Sequence, residues 1–294
     1  METLRWGQTE AAATIYRVEH RAPDLTRRWY VAPGALYGDY VITVGTISYE
    51  YDVKRQKVAI YKNPAIAQND LRRDNYALLT KNYRVVLGAG EIVVGRQADS
   101  INLINDYTGE RVMHLAVDTH THLILERTVY HGDGSIALQA RFEALRYTSN
   151  IPPAVFATDI PPDFTRTAER DYDRPSSDVA AVASAASFAP RTPQYLPEGF
   201  ALSSAALNET KGVKTLHLLY SDGIRSLSLF ENARGAAVDF GALRSMPIRW
   251  PNHQGRYVED GPTTLLSWSE GGLNYALVGE IGRRELLKIA ASIN

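Results

Sequence analysis

A run of short strand-like segments from residue 14 to residue 147 constrains this chain more than any other feature. TIYRVEH, RRWYVAP, DYVITVGTISYEY, KVAIYK, YRVVL, EIVVGR, SINLIN, RVMHLAV, LILERTVY and IALQARFEALRY all carry β-branched or aromatic residues. Many alternate apolar with polar positions, as an antiparallel strand does when one face meets a core and the other meets water. The breaks between them, APGALYGD, GAG, NDYTGE, DTHTH and HGDGS, have turn composition. Segments at this close, regular spacing predict an antiparallel meander.

One segment departs from the pattern. AIAQNDLRRDNYALLTKNY (65–83) has Leu71, Tyr76, Leu78 and Leu79 near helical spacing. It predicts a helix lying across the sheet, whose apolar face needs a lid. Residues 148–178 are rich in proline and polar residues with no sustained period, and read as a linker or crossover. SSDVAAVASAASF then predicts a short helix, with Ser177 or Ser176 as its N-cap and Pro190 just past its end.

A second block runs from residue 194 to the end. TLHLLYSDGIRSLSLFE reads as a hairpin turning at Ser221-Asp222-Gly223, and TTLLSWSEGGLNYALVGEI as another turning at Glu270-Gly271-Gly272. GRRELLKIAASIN is amphipathic and offers Leu286, Leu287, Ile289, Ala290 and Ile293 to a core. The fold class is therefore α+β, and 294 residues suit two domains. The expected division is 1–150 for the first, 151–190 for a linker with a short helix, and 191–294 for the second.

Composition excludes several functions. The formal net charge is −1, from 32 basic and 33 acidic residues, so no basic field invites nucleic acid or anionic lipid. The absence of cysteine excludes disulfides, thiolate metal sites and cysteine nucleophiles. No apolar run reaches the length of a membrane span. METLRWGQTE shows no signal peptide, so the chain is expected either to be cytosolic or to start after a removed export signal.

The stretch DTHTH (118–122) raises the question of a metal site. In one long strand Asp118, His120 and His122 would share a face with His114. However, RVMHLAV and LILERTVY are each complete strands, and Asp-Thr commonly begins a turn, which would scatter these side chains. Gly88, Gly90 and Gly95 lack the dinucleotide spacing and precede a strand. There is no G-x-S-x-G and no H-E-x-x-H. His131 reads as part of a hairpin tip and His217 as a sheet histidine. No catalytic residue, metal ligand or cofactor site is expected. Val44, Val58, Ile60, Val85, Leu87, Leu115, Val117, Leu123 and Leu125 line the inner face of the first sheet. They describe an ordinary core first, and the wall of a cavity for an acyl chain as the sharper alternative.

The order of motifs over both blocks resembles the RseB/MucB regulators of the bacterial envelope stress response. Three stretches carry the resemblance: residues 81–145, from KNYRVVL to RFEAL; QYLPEGFAL (194–202); and HLLYSDGIRSLSLFE (217–231) with NYALVGEIGRRELLKIAASI (274–293). The resemblance implies a LolA-like antiparallel half-barrel with covering helices, followed by a smaller sheet-plus-helix domain. It implies a periplasmic or extracytoplasmic protein, peripheral to the membrane at most, that is not an enzyme. Such a protein binds the extracytoplasmic segment of an anti-sigma factor and shields it from a protease, and a lipid or lipoprotein acts as the releasing signal. In the family pattern DTHTH falls at a turn, and the usual first long helix is absent or compressed into LRWGQTEAAA.

The partner-binding surface is expected at the hairpin around Tyr220, Ser221, Asp222, Gly223 and Arg225, although Asp222-Gly223 is equally readable as a turn alone. An alternative gives Arg96 the role of orienting the first domain against the second through a carboxylate. The alternative function is a lipid or lipoprotein carrier of the LolA type. A metal-dependent hydrolase built on DTHTH is the third reading.

Overall fold

A computed structural model describes residues 2–6, 11–62, 69–167, 170–171, 176, 178–186, 188–210, 212–233, 244–260 and 263–293. The first sheet opens with β1 (Glu2–Trp6), β2 (Ala11–Arg21), β3 (Leu25–Ala32), β4 (Tyr40–Val44), β5 (Ile47–Asp52) and β6 (Lys57–Lys62). Helix α1 (Asn69–Asn82) follows. Then come β7 (Tyr83–Leu87), β8 (Glu91–Val93), β9 (Arg96–Asn105), β10 (Arg111–Asp118), β11 (Ile124–Tyr130) and β12 (Ile136–Arg141).

Pairing runs β6-β5-β4-β3-β2-β1-β12-β11-β10-β9-β7, with β8 also on β9. These pairs are all antiparallel, so alternation and turn chemistry produce the expected meander. One strand was not expected. β1 lies between β2 and β12 and joins the first hairpins to the last. It pairs backbone edges that β2 and β12 would otherwise leave open. The described residues of LRWGQTEAAA belong to strands, so of the two expectations for the first helix, absent or compressed into this stretch, the described residues fit its absence here.

The lid over one end of this sheet is also not the expected helix. A 3-10 turn at Pro153–Phe156 buries Phe156, and Ile160 and Phe164 pack on Ile42, Tyr51 and Val58. Tyr40 stacks on Tyr51 at 4.3 Å within the same cluster. The crossover then adds β13 (Thr165–Arg166) and β14 (Arg170–Asp171), both parallel to β6. Much of the predicted linker is thus structural cover for the first domain. Helix α1 approaches β7 and the second domain instead. The first residues of the predicted 65–83 helix, 65–68, lie outside the described residues.

Helix α2 (Val179–Ser184) is capped by Asp178, whose carboxylate accepts from the Ala181 amide at 3.0 Å. Ser176, an expected cap, instead accepts from the Asp178 amide at 3.1 Å, two residues before the cap. Ser177 lies outside the described residues. Beyond it stand β15 (Ala201–Thr210), β16 (Val213–Ser221), β17 (Ser226–Ala233), β18 (Met246–Trp250), β19 (His253–Asp260), β20 (Thr263–Glu270), β21 (Leu273–Gly279) and helix α3 (Arg283–Ala291). The order is β15-β16-β17-β21-β20-β19-β18, antiparallel throughout.

Both predicted hairpins form. Leu216, Leu218, Leu227, Leu229, Leu266 and Leu277 bury one sheet face against Leu286, Ile289 and Ala290 of α3 and against Ile293 beyond it. Among the described residues no helix is long and apolar enough to cross a membrane.

Candidate functional site

The two domains meet at the turn between β16 and β17. Asp222 is completely buried, and every oxygen it has is used. Its Oδ1 accepts from the amides of Ile224 (3.0 Å) and Arg225 (2.7 Å), which closes the turn. Its Oδ2 accepts from Arg225 Nε at 2.9 Å and from the Tyr83 hydroxyl at 2.6 Å. Its carbonyl accepts from Asn82 Nδ2 at 2.9 Å. Tyr83 and Asn82 belong to the first domain, at the junction of α1 and β7.

Asn82 also donates to the Gly199 carbonyl at 2.8 Å and accepts from the Tyr107 hydroxyl at 3.2 Å. Burial pushes the Tyr83 phenol well above its ordinary pKa; Arg225 opposes this and the Asp222 carboxylate adds to it. Gly223 has φ +101°, and a Cβ there would stand 2.3 Å from the Leu79 nitrogen of α1. Ile224 packs into the first domain's cluster of Leu103, Met113, Val129 and Ala137. The Arg225 guanidinium lies 5.7 Å from the Phe200 ring centre.

The five expected partner-binding residues therefore divide. Asp222 and Gly223 are engaged with the first domain. Arg225 and Ser221 brace the turn from within, Ser221 Oγ accepting from the Gly223 amide at 3.0 Å. Tyr220 is buried in the second domain's core. The hairpin is an interdomain joint. Asn82, Tyr83 and Tyr107 are the functional residues that sequence reasoning left without a role. Asn82 and Tyr83 stand in KNY and Tyr107 in NDYTGE, but nothing local says that Asn82 faces a turn 140 residues away.

Arg96 does not serve this joint. It forms an ion pair with Asp118 inside the first domain, and its hydrogen bond holds the Asp118 carboxyl well below the usual carboxylate range. The other Asp118 oxygen accepts from the amides of His120 (2.8 Å) and Thr121 (2.9 Å). DTHTH is thus a turn closed by its aspartate, with His122 at φ +58° and both His120 and His122 exposed. His114 points elsewhere. Its Nε2 lies 3.1 Å from Ser100 Oγ and 3.0 Å from Glu91 Oε1. A relay needs the two partners on opposite ring nitrogens, and here both share one. Among the described residues no group of three or more His, Asp or Glu side chains can hold a metal ion.

The nine apolar candidates do not gather around one space. Val58 and Ile60 are buried, Val58 beneath the crossover. Leu125 is buried with Ala98 and Ala116, where the half-buried Leu123 also packs. Leu115 is half-buried beside Ile224, and Val117 is half-buried on the same strand. Val44 is exposed, as are Val85 and Leu87 on edge strand β7, at 57% and 72%.

A cleft of about 1140 Å³ opens beside the joint, between the β9–β12 end of the first domain and α3 with the 195–200 segment of the second. Glu110, Asp133, Glu198, Glu259, Glu280 and Glu285 line it against Arg111 and Arg225. Burial pushes the Glu280 carboxyl up. The Tyr195 hydroxyl donates to Glu285 at 2.5 Å. Arg111 lies 4.1 Å over the Tyr130 ring. The cleft therefore presents excess negative charge with aromatic walls, which suits a cationic ligand.

Residues 190–293 match a family described as a domain of unknown function (DUF4367), about a third of the chain. A search of curated proteins finds no match to the sequence. Among solved structures, MucB in complex with MucA(peri) matches with a TM-score of 0.61 at 14% identity, over 100% of this chain and 91% of that one. The MucA/MucB complex of Pseudomonas aeruginosa matches with a TM-score of 0.62 at 15% identity, again over 100% and 91%. A LolA superfamily protein of Nitrosomonas europaea reaches only 0.20 at 8% identity, over 95% and 80%, and carries no argument. The chain shares the fold of MucB over its whole length.

Proposed function

We propose that this chain is an extracytoplasmic regulator of envelope stress signalling that binds the extracytoplasmic segment of an anti-sigma factor. It acts by binding, with no chemistry on a substrate and no cofactor. The observation that carries this reading is the fold match to MucB over the whole chain, both domains together, in structures where MucB holds MucA. A carrier built on the first domain alone would not need the second. We assign the partner segment to the interdomain cleft, where the carboxylates favour lysine or arginine in the bound peptide.

The test is a calorimetric titration with the extracytoplasmic segment of the anti-sigma factor encoded alongside, with and without added phospholipid. Binding that weakens at high salt and in the presence of lipid supports a regulator released by an amphiphile. No heat of binding at concentrations up to roughly 50 μM ends this reading.

A second reading, a lipid or lipoprotein carrier with a half-barrel first domain, is favoured by the exposed apolar side chains of Val85, Leu87 and Ile92. Native mass spectrometry after gentle purification checks it. A protein that stays ligand-free and ignores added lipid removes it.

A further inference from the structure

Glu231 is the fully buried carboxyl of the second domain's core. It lies on β17 between Leu216 of β16 and Tyr275 of β21, on the face that packs beneath α3. Its exposure is 0%. Among the described residues Oε2 accepts one hydrogen bond, from the backbone amide of Arg191 at 2.9 Å, and Oε1 has no partner. Among the described residues the buried hydroxyls of Tyr220 and Tyr275 likewise find no hydrogen-bond partner. A carboxylate taken from water needs several donors or a close countercharge, and this one has a single amide and the Arg191 charge, which together do not outweigh burial.

What Glu231 holds is as informative as where it sits. Arg191 lies on the segment that brings the chain from the crossover into the second domain. That segment is fastened further along to the end of α3. Pro193 bridges Ile293, the Gln194 amide donates to the Ser292 carbonyl at 3.1 Å, and the Tyr195 amide donates to Ser292 Oγ at 3.0 Å. At the Arg191 end, Glu231 supplies the attachment.

We infer that Glu231 is a proton-controlled latch. With its carboxyl neutral, it stays buried and holds the segment around Arg191 to the second sheet. Ionised, it is drawn toward water and loosens that segment.

The surroundings agree. Burial raises the Glu231 carboxyl to about 7, against partial opposition from the Arg191 amide and charge. From β16 and β21 it meets Tyr220 and Tyr275, phenols that burial pushes above their ordinary value and keeps neutral near pH 7. Glu270, at the end of β20, acts on Tyr275 and adds no positive charge. Among the described residues Arg191 supplies the favourable charge. The inference does not depend on the anti-sigma factor reading.

Amide hydrogen exchange at Arg191, corrected for the intrinsic effect of pH, tests the latch in the full chain. A carboxyl at about 7 when latched and at its ordinary 4.5 when open makes opening about 30-fold more frequent at pH 8.5 than at pH 5.5. Glu231→Gln, a neutral isostere of the protonated form, is expected to abolish that dependence. A flat Arg191 profile in the wild type overturns the inference, as does an unchanged profile in the variant. If Glu231→Gln fails to fold, carbon-13 titration of the wild-type glutamate carboxyls decides. The assigned Glu231 resonance titrating near 7 supports the latch, and a Glu231 midpoint near 4.5 overturns it.

Discussion

Gly223→Ala is the sharpest test of how the two domains meet. The added Cβ would lie 2.3 Å from the Leu79 nitrogen, 2.6 Å from the Leu79 Cα and 2.9 Å from the Asn75 carbonyl. Ordinary carbon contacts are about 3.5–4 Å, so α1 and the turn must separate by about 1 Å. All three obstacles are backbone and cannot swing aside. At that separation two interdomain hydrogen bonds fail: Asn82 to the Asp222 carbonyl, and Tyr83 to the Asp222 carboxylate. A neutral bond contributes about 1 kcal/mol and one to a charged group about 2. The left-handed φ of +101° adds about 1 kcal/mol of strain for alanine.

The expected total is about 4 kcal/mol, concentrated at the joint. Urea denaturation measures it, and amide exchange at Tyr83 and Ile224 shows where it falls. Gly134→Ala is the control, because Gly134 also has positive φ (+82°) but open space where its Cβ would go. It should cost only the strain of about 1 kcal/mol. If Gly223→Ala is no worse than Gly134→Ala, the close approach of the turn to α1 is wrong.

Other outcomes follow from the same geometry. Tyr83→Phe keeps the ring but removes the hydroxyl from Asp222 Oδ2, and should destabilise the chain by about 2 kcal/mol in chemical denaturation. Leu125→Ala, at a site 1% exposed, should cost about 3 kcal/mol, whereas Leu87→Ala should stay within about 0.5 kcal/mol. Equal losses at these two positions would show that Leu87 is covered in solution. Arg96 holds the folded Asp118 carboxyl below its ordinary pKa, so the pair's contribution is present above the unfolded value near 4 and lost as pH falls below it. Thermal melts should therefore show a smaller drop between pH 6 and pH 3 in Arg96→Ala than in the wild type.

The joint gives the two domains a defined relationship through few groups. Asp222 closes its own turn and receives the Tyr83 hydroxyl with the same carboxylate, so folding of the hairpin and docking of the domains share one residue. Asn82 reaches both the Asp222 turn and Gly199. Arg225 both lines the adjacent cleft and pairs with Asp222, so the cleft and the joint share that side chain.

The sequence by itself determined most strands of the first sheet, the two hairpins of the second, the closing helix and the turn at DTHTH. Each is a local matter. Alternation has a period of two, turn residues act on their own backbone, and the apolar stripe of α3 recurs at helical spacing. Only the tertiary structure decided that β1 fills the gap between β2 and β12, because a strand's sequence does not name the edge it pairs with. The crossover's role as a lid was equally hidden, since Ile160 and Phe164 cover the sheet from an irregular segment with no period to detect. The Asp222-Gly223 turn was legible as a turn, yet its burial against Asn82 and Tyr83 was not. Those residues stand about 140 positions away, and their hydrogen bonds exist only once both domains have folded and met.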